Sequence, residues 1–189
     1  VANDQTPNFL WINNRDGTFS ERAVQLGCAT SNTGKARAGM SATMIDIDGD
    51  LDVDIHVSNL EGESDGMFVN QDGQFIDQSA AKALAGSSRK MTRWGATFGD
   101  WDLDGHLEMF TACGMVLQTS QSDAADPYAE RDMLHEITEP TGRFEPRPLD
   151  HRATNARAAL TSDLDGDLFP ELIVTTAWSK PMFMRHRSP

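Results

Sequence analysis

Residues 100 to 108 read Asp-Trp-Asp-Leu-Asp-Gly-His-Leu-Glu, placing Asp100, Asp102, Asp104 and Glu108 at positions 1, 3, 5 and 9 of a nine-residue window. Carboxylates at alternate positions of a tight loop turn their oxygens toward one centre, where they repel one another unless a cation sits among them. Hard oxygen donors at that density suit Ca²⁺, which accepts about six to eight of them, with a backbone carbonyl at position 7; Mg²⁺ keeps more water and ranks second. The window occurs twice more, as Asp46, Asp48, Asp50, Asp52 and Asp54 in 46 to 54, and as Asp163, Asp165, Asp167 and Glu171 in 163 to 171. Up to three ions are therefore expected, with the carbonyls of His106 and Phe169 joining the second and third shells. An EF-hand loop needs Glu at position 12, where this chain has Val57, Thr111 and Val174, so that reading fails. A glycosidase-like carboxylate pair is a poor match, because catalysis seldom uses three copies of one site.

The bulk composition agrees with this placement of charge. The chain has 189 residues, 29 acids against 16 bases, and a net charge of −13. Thirteen of the 29 acids fall in the three windows, whereas a surface made acidic for solubility would spread them. Nucleic acid is excluded as a partner, since its binding needs clustered Lys and Arg. No apolar run is long enough to span a membrane. No leader segment opens the chain at Val1, and its abrupt ends read as those of a processed or partial product. Cys28 and Cys113 lack metal-binding spacing; they read as small apolar side chains, with one disulfide in an exported protein as the alternative.

The chain is also repetitive outside the windows. NFLWINNRDGTFSE from Asn8, DGMFVNQDGQFID from Asp65 and RDMLHEITEPTGRFE from Arg131 each carry apolar residues, a polar turn and Gly-x-Phe. These read as β-hairpins whose Phe19, Phe75 and Phe144 anchor the second strand in a core. KPMFMRH from Lys180 looks like the start of a fourth copy. A strand is expected before each window (GMSATMI, WGATFG, ARAALTS) and after it (IHVSN, MFTAC, LIVTT). The windows start 54 and 63 residues apart, so one unit of about 60 residues contains strand, acidic turn, strand, connection and hairpin. Four strands per tandem unit is the signature of a β-propeller blade. The fold class expected is all-β, a partial β-propeller of tandem four-stranded blades spanning 1 to 189 as a single incomplete domain. The Asn8–Phe19 hairpin is expected to pair with strands of the first window or its neighbour, and the Lys180 segment to begin another blade. Only 77 to 88 has helical character, for one or two turns, and 118 to 130 is a long polar loop. Trp11, Trp94, Trp101 and Trp178 are expected between blades. The five histidines have no zincin-like spacing, and no catalytic residue is assigned.

The pattern Asp-x-Asp-x-Asp-Gly-x-x-Asp/Glu, the strand after it and the NNRDGTF hairpin resemble the FG-GAP/VCBS repeats of integrin-type propellers, most closely the ASPIC/UnbV proteins related to cartilage acidic protein. That resemblance implies an extracellular or periplasmic propeller with calcium in loops between strands. It implies protein interaction, adhesion or scaffolding; because three blades and a part do not close a propeller, a protein partner or the remaining blades of a longer chain are expected to complete it, and an exposed tryptophan could stack on a glycan. The alternative it implies is the propeller portion of a secreted carbohydrate-active or related enzyme. The pattern has glycine at position 6, as at Gly105; Leu51 and Leu168 stand there in the other windows, with Gly49 and Gly166 two residues earlier. A left-handed leucine costs about 1–2 kcal/mol, so the first and third loops are expected to bind more weakly than the second or to take a shifted turn.

Overall fold

The computed structural model describes residues 1–117, 126–138, 142–147, 149 and 152–185. The chain forms two compact units, Val1–Arg89 and Lys90–Pro189. Both are built from antiparallel β-sheet.

In the first unit, β1 (Trp11–Asn13) and β2 (Phe19–Glu21) form a separate two-stranded sheet, followed by the one-turn helix α1 (Ala23–Leu26). A four-stranded sheet then runs in chain order through β3 (Gly39–Ile45), β4 (Asp54–Asn59), β5 (Gly66–Gln71) and β6 (Gln74–Asp77). The first acidic window is the turn between β3 and β4. Asp72 and Gly73, both at positive φ (55° and 86°), close the β5–β6 hairpin. Two left-handed residues match the twist of the flanking strands, which is why Asp-Gly sits there. Val57 and Phe68 on the sheet bury against Ala23, Cys28 and Ala29, with Leu10 and Phe75 packed beside them. Each large apolar side chain buried this way contributes roughly 1.5–3 kcal/mol. The short helix α2 (Leu84–Ser87) follows.

The second unit repeats the plan. Its first sheet orders β7 (Arg93–Gly99), β8 (Glu108–Cys113), β9 (Met133–Thr138) and β10 (Arg143–Arg147) as sequential neighbours. Its second sheet has β11 (Ala156–Ser162), β12 (Glu171–Thr176) and β13 (Met182–Met184). Every residue of β8 is buried, as suits a strand covered on both faces. Glycine and alanine recur in β7 and β11 because the two strands touch: a Cβ on Gly95 would lie 2.7 Å from the Cα of Ala158. Phe110 and Ala112 of β8 join Ala156, Leu172 and Val174 in one core, with Trp101 and Leu134 against it. Trp101 also donates its indole N–H to Thr161 Oγ1 at 3.0 Å.

All six strands expected around the windows, and all three complete hairpins, are present at the expected places. Four expectations are corrected. The β1–β2 hairpin pairs with neither window's strands, because its register joins Trp11–Asn13 only to Phe19–Glu21. The Lys180 segment adds β13 to the edge of β12 instead of opening a new sheet. Phe144 is buried and Phe75 half-buried, but Phe19 is exposed at the end of its short sheet. Trp11 and Trp178 are likewise exposed, whereas Trp94 and Trp101 are partly buried. The helix α1 was not expected; its signal is Gly27, which ends it at φ 90° with a Cβ position only 2.3 Å from the Phe75 carbonyl oxygen. Cys28 and Cys113 are free and buried. Most of the 118–130 loop, together with His151 and His186, lies outside the described residues.

Candidate metal centre

Each acidic window is the turn joining the first two strands of a sheet, and the three turns share one hydrogen-bonding scheme. The carboxylate at position 9 accepts the backbone N–H of position 2: Ile47 to Asp54 at 2.8 Å, Trp101 to Glu108 at 2.9 Å, Leu164 to Glu171 at 2.9 Å. The carboxylate at position 1 ties the turn from inside. Asp46 accepts from Gly49 and Leu51, and Asp163 accepts from Gly166 and Leu168. Asp100 accepts from Asp104 and Gly105, one residue displaced at its first bond. The carboxylate at position 5 then accepts from position 7: Asp52, His106 and Phe169 donate to Asp50, Asp104 and Asp167.

This scheme places positions 4 and 6 in the left-handed region in every loop. Gly49, Gly105 and Gly166 have φ of 73°, 90° and 79°, and Leu51, Leu103 and Leu168 have 72°, 60° and 72°. Each loop therefore has one glycine and one leucine at these two positions, in either order. The first and third loops differ from the second in that position 1 accepts from position 4 and not from position 5, while leucine at positive φ is common to all three. The leucines are 91%, 47% and 83% exposed, so packing does not hold them there. The carboxylate hydrogen bonds do, at about 1–2 kcal/mol of strain each.

The ligand atoms converge differently. Carboxylate oxygens of Asp46, Asp48 and Asp50 lie within 4.8 Å of one another, as do those of Asp100, Asp102 and Glu108, and those of Asp163, Asp165 and Glu171. Asp52, Asp54, Asp104 and Asp167 are outside these groups. Asp54 instead points its oxygens at two backbone donors, Oδ2 accepting from Ile47 N–H and Oδ1 from Asn70 N–H of β5 at 2.7 Å. Burial pushes its carboxyl up, and the two N–H donors oppose that.

The second loop presents the best donor set. Glu108 is 7% exposed, and its Oε1 is buried without a hydrogen-bond partner. Burial, aided by the negative charges of Asp102, Asp100 and Asp104, pushes its carboxyl up to about 7. In the strand register Glu136 of β9 lies directly opposite Glu108, with its own charge met by Arg147 of β10. A carboxylate buried in such a place is costly unless a cation meets it. These residues fit a hard divalent ion.

In the third loop a cation is supplied by the chain. The Arg185 Nε donates to Glu171 Oε1 at 3.0 Å, and its Nη2 contacts Asp165 Oδ2. No sequence signal singled out Arg185, because the contact depends on the β12–β13 register. Among the histidines, His56 and His135 are buried in the sheets and His106 lies in the second loop. No helix among the described residues is long and apolar enough to cross a membrane.

Residues 46–111, which hold the first two acidic loops and the sheet strands between them, match the family described as an FG-GAP-like repeat. No curated protein matches the chain.

Proposed function

We propose that this chain is a calcium-binding module of the β-propeller type, its sheets acting as blades, exported and used for protein interaction, adhesion or scaffolding. The observation that carries the metal reading is Glu108 Oε1, buried and unpartnered beside Asp100 and Asp102. Asp100, Asp102 and Glu108 would supply side-chain oxygens, with the His106 carbonyl at position 7 and water completing the shell. The ion would neutralise the crowded carboxylates and lock the turn between β7 and β8. The repeat match and the recurring strand–acidic turn–strand plan support the blade reading. Export rests only on the resemblance of the acidic windows and hairpins to the repeats of extracellular or periplasmic propellers. The protein partner is read as whatever covers the exposed apolar side chains of β1, β2 and β13, namely Trp11, Phe19 and Phe183. Calorimetric titration with Ca²⁺ and with Mg²⁺ tests the metal reading. Heat of binding for Ca²⁺ that is weaker for Mg²⁺ and lost in Glu108→Gln supports it; identical titrations of wild type and variant would sink it.

A further inference from the structure

The three turns have the same backbone and different surroundings, and position 9 shows the difference. Glu108 faces Glu136 across the strands, and among the described residues neither Asp102 nor Glu108 has an ion-pair partner. The third loop is the opposite case. Leu172 pairs with Met184 in the β12–β13 register, so the next residue on each strand brings Arg185 beside Glu171. Its guanidinium reaches positions 9 and 3 at once, through Glu171 Oε1 and Asp165 Oδ2. Glu171 Oε2 is meanwhile held by Leu164 N–H. At 5% exposure, Glu171 has both oxygens satisfied within the chain.

We propose that Arg185 is a tethered competitor at the third loop, occupying the place that a divalent cation would take, so that calcium enters this loop only as Arg185 leaves. The inference rests on the calcium reading given above and adds regulation to it. The guanidinium hydrogen-bonds Glu171 through Nε and pairs with Asp165 through Nη2, yet it brings one positive charge where Ca²⁺ brings two. The Arg185 side chain is 55% exposed, so its hold is screened by solvent and can be exchanged. The two states also differ at the sheet edge. With Arg185 on the loop, the residue just after β13 is tied to the start of β12; with an ion in the loop, that tie is gone. Occupation of the third loop and release of the β13 edge are thus coupled, and the coupling is reciprocal.

The test is calcium titration of the whole chain as wild type, Arg185→Ala, and Arg185→Ala combined with Asp163→Ala, with circular dichroism confirming that each folds. Arg185→Lys, which keeps the charge but loses the fork, guards against a packing artefact. The expected result is a site in Arg185→Ala that binds roughly tenfold or more tighter than its wild-type counterpart, that disappears when Asp163 is also removed, and that is only partly gained in Arg185→Lys. Unchanged third-loop binding in Arg185→Ala, with the Glu108-dependent site intact, overturns the competitor and leaves the calcium reading standing. Absence of calcium binding in every variant overturns both.

Discussion

The second and third acidic loops differ less in their own nine residues than in what the next strand brings to them. Both have acids at positions 1, 3, 5 and 9, both close the position 9 carboxylate onto the N–H of position 2, and both hold a leucine at positive φ. Yet one ends beside Glu136 with a buried, unpartnered oxygen, and the other ends beside Arg185 with none. A metal-loop motif specifies the shape of a turn. The third strand of the sheet decides whether that turn has an unmet demand for positive charge. The first loop makes the same point by another route: the N–H of Asn70 on β5 engages Asp54, leaving Asp46, Asp48 and Asp50 as the convergent group.

The largest effect that would sharpen this contrast is calcium-dependent stability. An ion that binds only the folded chain stabilises by mass action, about 2.7 kcal/mol at a hundredfold excess over its dissociation constant. Asp102→Ala should remove most of the calcium-induced rise in melting temperature, and Asp165→Ala should remove little of it. Melts with calcium and with chelator compare the two; equal losses would erase the distinction between the loops.

Next in size is the pH response of the second loop. Burial first and neighbouring charges second raise the Glu108 carboxyl of the metal-free fold from 4.5 to about 7. A raised acid contributes stability that is complete below its unfolded value and is lost as pH rises through the folded one. Under chelation, stability should therefore fall between pH 4.5 and 7 by on the order of 2 kcal/mol from this group. Calcium needs the ionised carboxylate, so its affinity should rise over the same interval. Denaturant titrations across this range, with Glu108→Gln as the control, read both trends. A variant whose chelated profile has the same slope as wild type would show that Glu108 is not the titrating group.

The smallest effects probe the shared backbone. Gly105→Ala should destabilise by about 1 kcal/mol through its positive φ alone, because a Cβ there meets nothing within 4 Å. Leu103→Gly and Leu168→Gly should each relieve strain and gain up to about 1 kcal/mol. Chemical denaturation with chelator present measures these. A loss in stability for both leucine variants would mean that the leucines are not strained.

Periodicity and turn chemistry made the sheets legible: alternating small and apolar residues before each window, buried runs after it, and Gly-x-Phe hairpins at matching intervals. Short edge elements were less so. β1–β2 has three residues a side, and its pairing choice depends on contacts far away in sequence. The acidic loops were legible as clusters; Asp100, Asp102 and Glu108 converge, whereas Asp104, expected with them, lies outside the group. The exchange of glycine and leucine between positions 4 and 6 was read as a defect at position 6, because the second left-handed position is not visible until the Asp46, Asp100 and Asp163 hydrogen bonds are seen. Arg185 could not be found from spacing at all; its role is set by the cross-strand register of β12 and β13.

The most direct measurement is a crystal structure of the chain grown with calcium, with the ion identified by anomalous scattering. The account predicts an ion against Asp100, Asp102 and Glu108 with oxygen distances of about 2.3–2.6 Å, and Arg185 still across Asp165 and Glu171 wherever the third loop holds no ion. Second-loop carboxylates splayed into solvent around no ion, or an ion in the third loop with Arg185 undisturbed, would contradict it.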